Sequence, residues 1–490
     1  MRAWAEPHRG LRARLRSPYI IPGMRRPLLL FSIVLLMGLA FTLVSRDPQA
    51  DPRLKKAVRR AERNGWIEVH LEGSPAEIGY QHGYLLAPEI ADDFKAISVE
   101  MVHEEKRDWG FFRKAAEEVF WPHIEAEYRD ELNGIVEGQK ARGGKLDIWD
   151  VVAMNAWLEL PYYDKEYGKA HPGSPTGSGQ GEHCSAFVAT GSYTKDGRIV
   201  IGHNNWTSYS SGERWNIVFD IVPVKGSRLL MDGAAGLIHS ADDFGMNAAG
   251  IVITETTISN FSGFDTNGIP EFVRARKAMQ YAKSIDDFAR IMKEGNNGGY
   301  ANNWLVADRK NNEIASLELG LKNVVLQRTK DGFFVGANFP ADPKLAREET
   351  DFNLNDPSLS QNARHARWLE LMEQNKGKID VAAGERFLAD HYDTYERKNE
   401  PSERTLCGHI DLSPRGMGTW QAPYAPAGAV QNKITDGAGA EKMTMFAALG
   451  HSCGLNFKAQ EHLAKHPEFA WMKDILRDMP ARGWAKFGVK

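Results

Sequence analysis

The sequence predicts an α+β fold in which helices cover antiparallel sheets. From Pro88 to about Leu160, apolar residues recur at helical spacing, whereas after Cys184 the chain changes to short runs of β-branched and aromatic residues. Residues 303–308 and 314–319, for example, form two strand-like runs joined by a polar turn. Because such hairpins have helices grouped between them, antiparallel sheets with helices on their faces are the expected arrangement.

Length and composition are those of an ordinary globular protein. The 490 residues are 42% hydrophobic and 26% charged, which suffices for one large core or two domains. The net charge of -3 gives no reason to expect nucleic-acid binding. We predict no metal and no cofactor, because the histidines lack zinc-type spacing, the cysteines do not cluster along the sequence and phosphate-binding glycine loops are absent. A serine hydrolase is disfavoured, because the sequence does not place a Gly-x-Ser-x-Gly motif at a predicted turn from a strand into a helix, where such enzymes carry their nucleophile.

The N-terminus carries a predicted targeting segment. Residues 1–23 are rich in Arg and Pro and precede Met24, so translation is hypothesised to start at Met24, with 1–23 as an upstream extension. Residues 24–45 are interpreted as a signal peptide or signal anchor, because two arginines precede the uncharged apolar run 27–45. We therefore expect export to a periplasmic, extracellular or lumenal location. Cleavage of the signal and membrane anchoring through 27–45 stay open.

Three segments follow the targeting region. Residues 60–163 are predicted to be mainly α-helical, residues 164–183 to be a linker cut on maturation, and residues 184–490 to be the catalytic chain. An early helix is expected to begin with Ser74 as N-cap and Pro75 in its first turn. A single amphipathic helix is expected over residues 270–293.

Cys184 is the candidate nucleophile. It follows a Gly- and Pro-rich run, residues 171–181, and stands at the first position of a predicted strand whose hairpin turn contains Asp196 and Gly197. If the bond before Cys184 were cut, the same residue would carry an α-amine with a pKa of about 7.7 to 8.0, close enough to neutrality to accept the thiol proton. The thiol could also cut that bond itself by an acyl shift from nitrogen to sulfur. The alternative is that Cys184 is a small buried hydrophobic residue.

Several motifs in chain order resemble the phospholipase B-like family of N-terminal-nucleophile hydrolases. They are residues 183–186, 202–209, 255–260, 300–304 and 411–414, together with a C-terminal region around 428–487. The resemblance covers most of residues 60–490 and implies a four-layer αββα sandwich. Residues 360–367 are similar, more distantly, to the penicillin acyltransferase and bile-salt hydrolase branches of that superfamily. His203 departs from those branches, which usually have Arg at this position.

The resemblance also suggests roles for particular side chains. His203, on the strand expected to partner that of Cys184, could orient the nucleophile or assist proton transfer. Asn302 and Asn303 are both candidates for the donor that stabilises the oxyanion, and a simple turn is their alternative. Arg364 is expected to steady the surroundings of the nucleophile, with a surface ion pair as its alternative. The residues assigned to substrate binding or the site wall are Asn205, Trp206, Glu255 and Thr256.

The predicted function is that of an exported, self-processing hydrolase that deacylates phospholipids or other acylated small molecules through a thioester on Cys184. The cleaved chains are expected to remain associated. One alternative is an amidase or acyltransferase on N-acyl amino compounds, and another is an inactive binding protein of the same fold. Cys407 and Cys453 could pair as a disulfide in an oxidising compartment, or all three cysteines could be free.

Overall fold

The computed structural model describes residues 51–172, 183–240, 244–418 and 421–490. The predictions for the start at Met24, for the signal segment 24–45 and for most of the loop before Cys184 concern residues outside these ranges. Within the described ranges, no helix is long and apolar enough to cross a membrane.

The strands of the described residues form two large sheets and a small hairpin. Their bounds are β1 Val58–Arg59, β2 Ile67–Gly73, β3 His183–Thr190, β4 Val200–Ser208, β5 Ile217–Pro223, β6 Leu229–Gly233, β7 Gly245–Asn247, β8 Ile251–Thr257, β9 Asn302–Asp308, β10 Glu313–Leu319, β11 Val324–Thr329, β12 Gly332–Gly336, β13 Tyr392–Asp393, β14 Lys398–Asn399, β15 Ala427–Asp436, β16 Thr444–Leu449 and β17 Ala485–Gly488. The larger sheet has the order β1-β2-β5-β6-β7-β8-β9-β10-β11, and the smaller has the order β12-β3-β4-β15-β16-β17. Neighbouring strands in both sheets are antiparallel except β2 and β5, which are parallel.

Helices lie mainly before β3 and in two later groups. Their bounds are α1 Pro75–Leu85, α2 Ala87–Glu105, α3 Trp109–Ala115, α4 Ala126–Ala141, α5 Ile148–Asn155, α6 Leu160–Ala170, α7 Tyr209–Gly212, α8 Glu271–Tyr281, α9 Ile285–Lys293, α10 Pro343–Glu349, α11 Ser360–Gln374, α12 Val381–Leu388, α13 Gly437–Glu441 and α14 Ala459–Lys465. A π-helical turn, Ala116–Phe120, continues α3, and short 3₁₀ turns lie at Pro52–Lys56, Trp121–His123, Gly191–Tyr193, Ile410–Leu412 and Pro467–Met472.

Three apolar clusters order these elements into four layers. The first joins one face of the larger sheet to helices of the N-terminal segment and to α8 and α9. The second lies between the sheets, where Val188 of β3 and Ile201 of β4 share a cluster with Leu230 and Val252 of the larger sheet. The third joins the outer face of the smaller sheet to α11 and α12. The predicted α+β class and its helix–sheet–sheet–helix sandwich are therefore confirmed.

The start of α1 follows its sequence signals. Ser74 caps the helix by accepting the Glu77 N–H, and the Glu77 side chain returns to the Ser74 N–H, with Pro75 at the first position. Four glycines then let α1 pack directly on α4: Gly79 and Gly83 face Gly134 and Gly138. These helices form the expected helical segment together with α2, α3, α5 and α6.

Two predicted boundaries are wrong. The helix expected over 270–293 is two helices, because α8 ends at Tyr281 and Ser284 caps a new helix by accepting the Asp287 N–H. A tertiary contact favours this break, since the Asn247 amide donates to the carbonyls of Met279 and Ala282. The linker expected at 164–183 also begins too early, because residues 164–170 complete α6.

Candidate active site

Cys184 is the second residue of β3, because the strand begins at His183 and not at Cys184 as predicted. Its side chain lies on the face of the smaller sheet that is directed at the larger sheet. Ala186 and Val188 follow on the same face and belong to the cluster between the sheets. With the peptide bond to His183 intact, the Cys184 side chain is completely buried. Its surroundings decide whether this burial is that of a core residue or of a functional site.

The backbone of Cys184 is bonded by side chains rather than by the neighbouring strand. β12 pairs with β3 only as far as Gly336 opposite Ala186. Beyond this point the Asn338 Oδ1 accepts the Cys184 N–H (2.9 Å), and the Arg364 guanidinium donates to the Cys184 carbonyl oxygen (2.6 Å). Asn338 also accepts from Arg364 (3.0 Å) and donates to the Thr257 carbonyl (2.9 Å). The nitrogen that would become the α-amine therefore faces a fixed acceptor.

Arg364 is a buried positive charge at the nucleophile. It lies on α11, donates to the hydroxyls of Ser360 (2.9 Å) and Ser185 (3.1 Å), and stacks its guanidinium 4.3 Å from the Trp206 ring centre. Burial lowers the pKa of Arg364 to about 9, so the group stays protonated at neutral pH. Arg364 therefore places a positive charge beside the backbone of the candidate nucleophile. The predicted placement of Arg364 at the nucleophile agrees with this geometry, and the surface ion pair does not.

Three polar side chains face the thiol. The Sγ atom lies 3.8 Å from the Asn205 Oδ1 and 4.0 Å from the Glu255 Oε1, and a His203 ring nitrogen lies within 4.8 Å of both the sulfur and the carboxylate. Asn205 is directly opposite Cys184 on β4, and His203 is opposite Ala186, as the hairpin predicted. Cys184 therefore lies in a polar pocket that holds two groups able to accept its proton.

Further hydrogen bonds orient these side chains. The Asn205 amide nitrogen donates to the Gln431 Oε1 (3.1 Å), which leaves its oxygen towards the thiol. Glu255 accepts from the Tyr300 hydroxyl (3.1 Å), and that hydroxyl accepts from the Thr257 Oγ1 (2.9 Å). Sequence reasoning gave no individual role to Asn338, Gln431 and Tyr300, because the sequence does not show which side chains the fold brings to Cys184.

The pocket extends along the same face to a buried ion pair. Lys433 of β15 is directly opposite His203 and lies 3.0 Å from the Asp232 carboxylate of β6, and neither side chain is exposed to solvent. Removing one partner of such a pair would leave an uncompensated charge in the protein interior, which is strongly destabilising. The pair links the smaller sheet to the larger one beside His203.

The structure separates the two candidate oxyanion donors. Asn303 accepts from the Ser316 hydroxyl (2.7 Å) and lines a surface cleft with Glu318 and His365. Asn302 is fully buried, and its amide has no hydrogen-bond partner among the described residues. It is directly opposite Thr257, whose hydroxyl joins the Tyr300 and Glu255 network. Neither amide is within hydrogen-bond distance of the Cys184 thiol in the described part of the chain.

The remaining predicted site residues line the surroundings. Trp206 lies beneath Arg364, and its indole N–H donates to the Leu406 carbonyl (3.3 Å). Thr256 faces the smaller sheet at Gly336 of β12, where even a Cβ atom would collide with its side chain. Thr256 therefore forms the wall next to the end of β12, while its neighbour Glu255 reaches the thiol.

A Gly-x-Ser-x-Gly run, residues 450–454, does follow a strand directly, although none was expected in that setting. Its Ser452 hydroxyl donates to the Leu388 carbonyl (2.7 Å) and lies 3.8 Å from the Cys407 sulfur. The next helix, α14, begins only at Ala459. Because the run is not a sharp strand-to-helix turn, a serine nucleophile stays disfavoured.

The cysteines that are distant in sequence cluster in space. Cys407 and Cys453 are free thiols, and their ligand atoms lie together with those of His391 and His409. The cysteines do not cluster along the sequence, as stated above, but the fold brings Cys407 and Cys453 together. Cys184, His203 and Glu255 form a second group whose ligand atoms are similarly close.

Comparison with known proteins identifies the family. The model of the family described as Phospholipase B matches residues 100–388, which contain Cys184, His203, Glu255, Asn338 and Arg364. The chain belongs to the phospholipase B family. The predicted resemblance is confirmed.

Individual phospholipase B relatives are distant. An uncharacterized protein of Archaeoglobus fulgidus is 28% identical over 51% of this chain and 42% of its own length. Phospholipase B-like 1 of Homo sapiens is 23% identical over 76% and 74%, and phospholipase B of Crotalus adamanteus is 25% identical over 55% and 51%. The chain thus spans about half the length of two of these relatives and about three quarters of the human one.

Solved structures similar to this phospholipase B family member match it only in part. A variant of conjugated bile acid hydrolase from Clostridium perfringens has a TM-score of 0.33 and 11% identity, covering 54% of this chain and 89% of that one. Penicillin V acylase from Agrobacterium tumefaciens gives the same TM-score and identity, covering 54% and 82%. The fold assignment rests on the four layers described above.

Proposed function

We propose that this chain is a self-processing hydrolase that removes acyl groups from phospholipids or other acylated substrates through a thioester on Cys184. The observation that carries the proposal is the set of contacts made by the Cys184 backbone and thiol. Its N–H is held by Asn338, its carbonyl by Arg364, and its thiol faces His203, Asn205 and Glu255. Nitrogen, sulfur and the groups that can move protons between them are thus fixed before any bond is cut.

Maturation would use the same thiol. His203 or Glu255 accepts the Sγ proton, and the sulfur attacks the His183 carbonyl carbon. The C–N bond to Cys184 breaks, its nitrogen takes up a proton, and water hydrolyses the resulting thioester. The products are a carboxylate on His183, a free thiol and a new α-amine at Cys184. Cleavage would also open a path to the thiol, which is completely buried while the bond is intact.

Turnover would then need a base and an oxyanion donor. The α-amine takes the thiol proton, the thiolate attacks the substrate carbonyl, and the leaving alcohol receives the proton from the amine. Water hydrolyses the thioester and regenerates the thiol. Asn302 is the proposed oxyanion donor, because its buried amide has no other partner among the described residues and lies on the same sheet face as Thr257.

Chain association after cleavage is part of the proposal. β2 belongs to the segment before the cut, yet it pairs with β5 along its whole length, from Ile67 opposite Ile217 to Gly73 opposite Pro223. Helices of this segment share the first apolar cluster with Phe219 and Ile253 of the sheet. Both contacts favour a two-chain protein that does not dissociate. We also propose export, on the basis of the apolar segment 27–45 with its preceding arginines.

Intact mass and N-terminal sequencing of the purified protein test maturation. Wild type is expected to give two co-eluting chains, the second beginning at Cys184, whereas Cys184→Ala stays uncut. Val224→Ala, a substitution of an exposed side chain, serves as the control and is expected to be cut. An uncut wild-type chain that still releases acyl groups would refute the mechanism, and an uncut chain without activity would favour the binding-protein alternative.

Acyl release separates the substrate classes. Fatty acid release from phosphatidylcholine vesicles is compared with release from N-acyl amino acids, using mature wild type, Asn302→Ala and Asn303→Ala. We expect ester cleavage to dominate, with a loss of about 100-fold or more in kcat for Asn302→Ala and a small loss for Asn303→Ala. Faster cleavage of N-acyl amino acids would instead support the amidase alternative, and equal losses in both variants would refute the choice of Asn302.

A further inference from the structure

Two cysteines and two histidines from three parts of the chain converge outside the proposed active site. His391 immediately precedes β13, Cys407 and His409 lie in the loop before the 3₁₀ turn Ile410–Leu412, and Cys453 follows β16. One ligand atom from each residue lies within 4.8 Å of all the others. The His409 Nε2 is 3.6 Å from the Cys407 sulfur and 3.5 Å from the Cys453 sulfur.

These distances match the edges of a zinc coordination tetrahedron. With Zn–S bonds of about 2.3 Å and Zn–N bonds of about 2.0–2.1 Å, tetrahedral angles separate sulfur from nitrogen by about 3.6 Å. Two cysteines with two histidines are also a common ligand set of structural zinc sites. We propose that His391, Cys407, His409 and Cys453 bind a zinc ion as four protein ligands.

The surroundings orient the histidine ligands. On the opposite side of the His409 ring, Nδ1 lies 3.8 Å from the Asp411 carboxylate, which the Tyr209 hydroxyl holds at 2.7 Å. A carboxylate on this side favours the tautomer with the proton on Nδ1, and so directs the Nε2 lone pair at the two sulfurs. The Nε2 of His391 is buried without a hydrogen-bond partner among the described residues, so its lone pair is available to an ion.

The thiols and their exposure suit metal binding as well. A thiolate is the form that coordinates zinc. Cys453 and His391 are partly exposed, whereas Cys407 and His409 are buried. An ion can therefore reach the site from the side of Cys453 and His391.

The zinc ion would brace the candidate active site. The loop that carries Cys407 accepts two hydrogen bonds at the Leu406 carbonyl, from the Asn204 amide (2.9 Å) and the Trp206 indole (3.3 Å). Trp206 in turn supports the Arg364 guanidinium. With four protein ligands the ion has no open position for substrate, so its role is to hold the loop 402–409 and the segment after β16 against β4.

Zinc content and cobalt spectra of the full chain test the proposal. Protein purified with zinc and then desalted is expected to hold one zinc per chain by elemental mass spectrometry. Cobalt substitution is expected to give a thiolate-to-cobalt charge-transfer band together with the d–d bands of a tetrahedral ion. Cys407→Ser and His391→Asn are expected to lose the zinc, whereas the matched controls Cys184→Ser and His466→Asn keep it.

Each other outcome would overturn the assignment. A disulfide between Cys407 and Cys453, detected as two thiols protected from alkylation until reduction, would exclude thiolate ligands. Cobalt bound without a charge-transfer band, and lost in His451→Asn, would place the ion at the neighbouring group His409, Asp411 and His451. Loss of zinc in Cys184→Ser would place it at Cys184, His203 and Glu255. The cobalt spectrum of wild type keeps the test decisive if a ligand variant fails to fold.

Discussion

Gly83→Ala reverses the sign that helix propensity alone predicts. Replacing a helical glycine by alanine ordinarily stabilises a helix by about 1 kcal/mol. At this position, however, the added Cβ would lie 2.1 Å from the Ile135 carbonyl oxygen of α4, and ordinary contact begins at 3.4 Å. The blocking atom belongs to a helix backbone and cannot rotate away, so α1 and α4 must separate by about 1.3 Å.

The magnitude follows from these two opposing effects. Overpacking a close interface typically costs about 1–3 kcal/mol, and a backbone obstacle puts this site near the upper limit. After subtraction of the propensity gain, the folded protein should lose about 2 kcal/mol, which corresponds to a fall of roughly 2 °C in the thermal midpoint, because the entropy of unfolding grows with chain length. The mirror substitution Gly138→Ala should behave alike, because its Cβ would lie 2.2 Å from the Tyr80 carbonyl.

Thermal unfolding followed by far-ultraviolet circular dichroism measures this change. Gly483→Ala is the matched control, because its Cβ would meet no atom within 4 Å and its backbone is outside the left-handed region. That control should be neutral or slightly stabilising. A thermal midpoint of Gly83→Ala equal to or above that of wild type would refute the close packing of α1 on α4.

Three further predictions concern the site and its rim. Asn338→Gly should slow maturation about 2- to 13-fold, because it removes the acceptor of the Cys184 N–H. Asn338→Ala should have a lower thermal midpoint than Asn338→Gly, because a φ of 59° strains alanine. Equal midpoints of the two variants would argue against that strain. Arg364→Lys should lower the thermal midpoint and slow maturation although it keeps the charge, because one ammonium cannot replace all of the guanidinium's hydrogen bonds. Unchanged maturation rates in time-resolved gels would contradict this role of Arg364. Burial raises the pKa of Glu318 from 4.5 to about 7, so the contribution of this carboxyl to stability is present below about pH 4.5 and is lost as the pH rises through 7. The thermal midpoint of wild type should therefore fall between pH 5 and pH 8, by the equivalent of at most about 3 kcal/mol. Glu318→Gln should show a smaller fall over this pH range.

Local signals explain which elements could be predicted. The cap at Ser74 and the turn at Asp196 and Gly197 involve residues a few positions apart, and both α1 and the β3–β4 hairpin form where expected. The same pairing placed His203 and Asn205 beside Cys184. The helix over 270–293 was predicted wrongly because its break depends on Asn247, a residue of another element that bonds the last carbonyls of α8.

Contacts between distant segments explain what could not be predicted. Asn338 follows a strand and takes a left-handed conformation, and nothing in its neighbourhood along the chain indicates that it holds the Cys184 N–H. Cys407 and Cys453 are 46 residues apart, so their spacing carried no zinc signal. Both sets of contacts depend on the stacking of the two sheets and on the loops at their ends.

The position of the polar pocket within the sandwich also argues for function. Along one face of β3 the side chains change from Val188 to Cys184, and along β4 they change from Ile201 to His203 and Asn205. Stability alone would favour apolar side chains throughout this layer, since each buried polar group must be matched by a partner. The chain instead concentrates a thiol, an imidazole and a carboxylate at one end of it, and a guanidinium from the outer helical layer binds the Cys184 carbonyl there. Polar groups placed together at such a cost are expected where chemistry requires them, and the end of the layer where β3 begins is the place where a newly formed amine would lie among them.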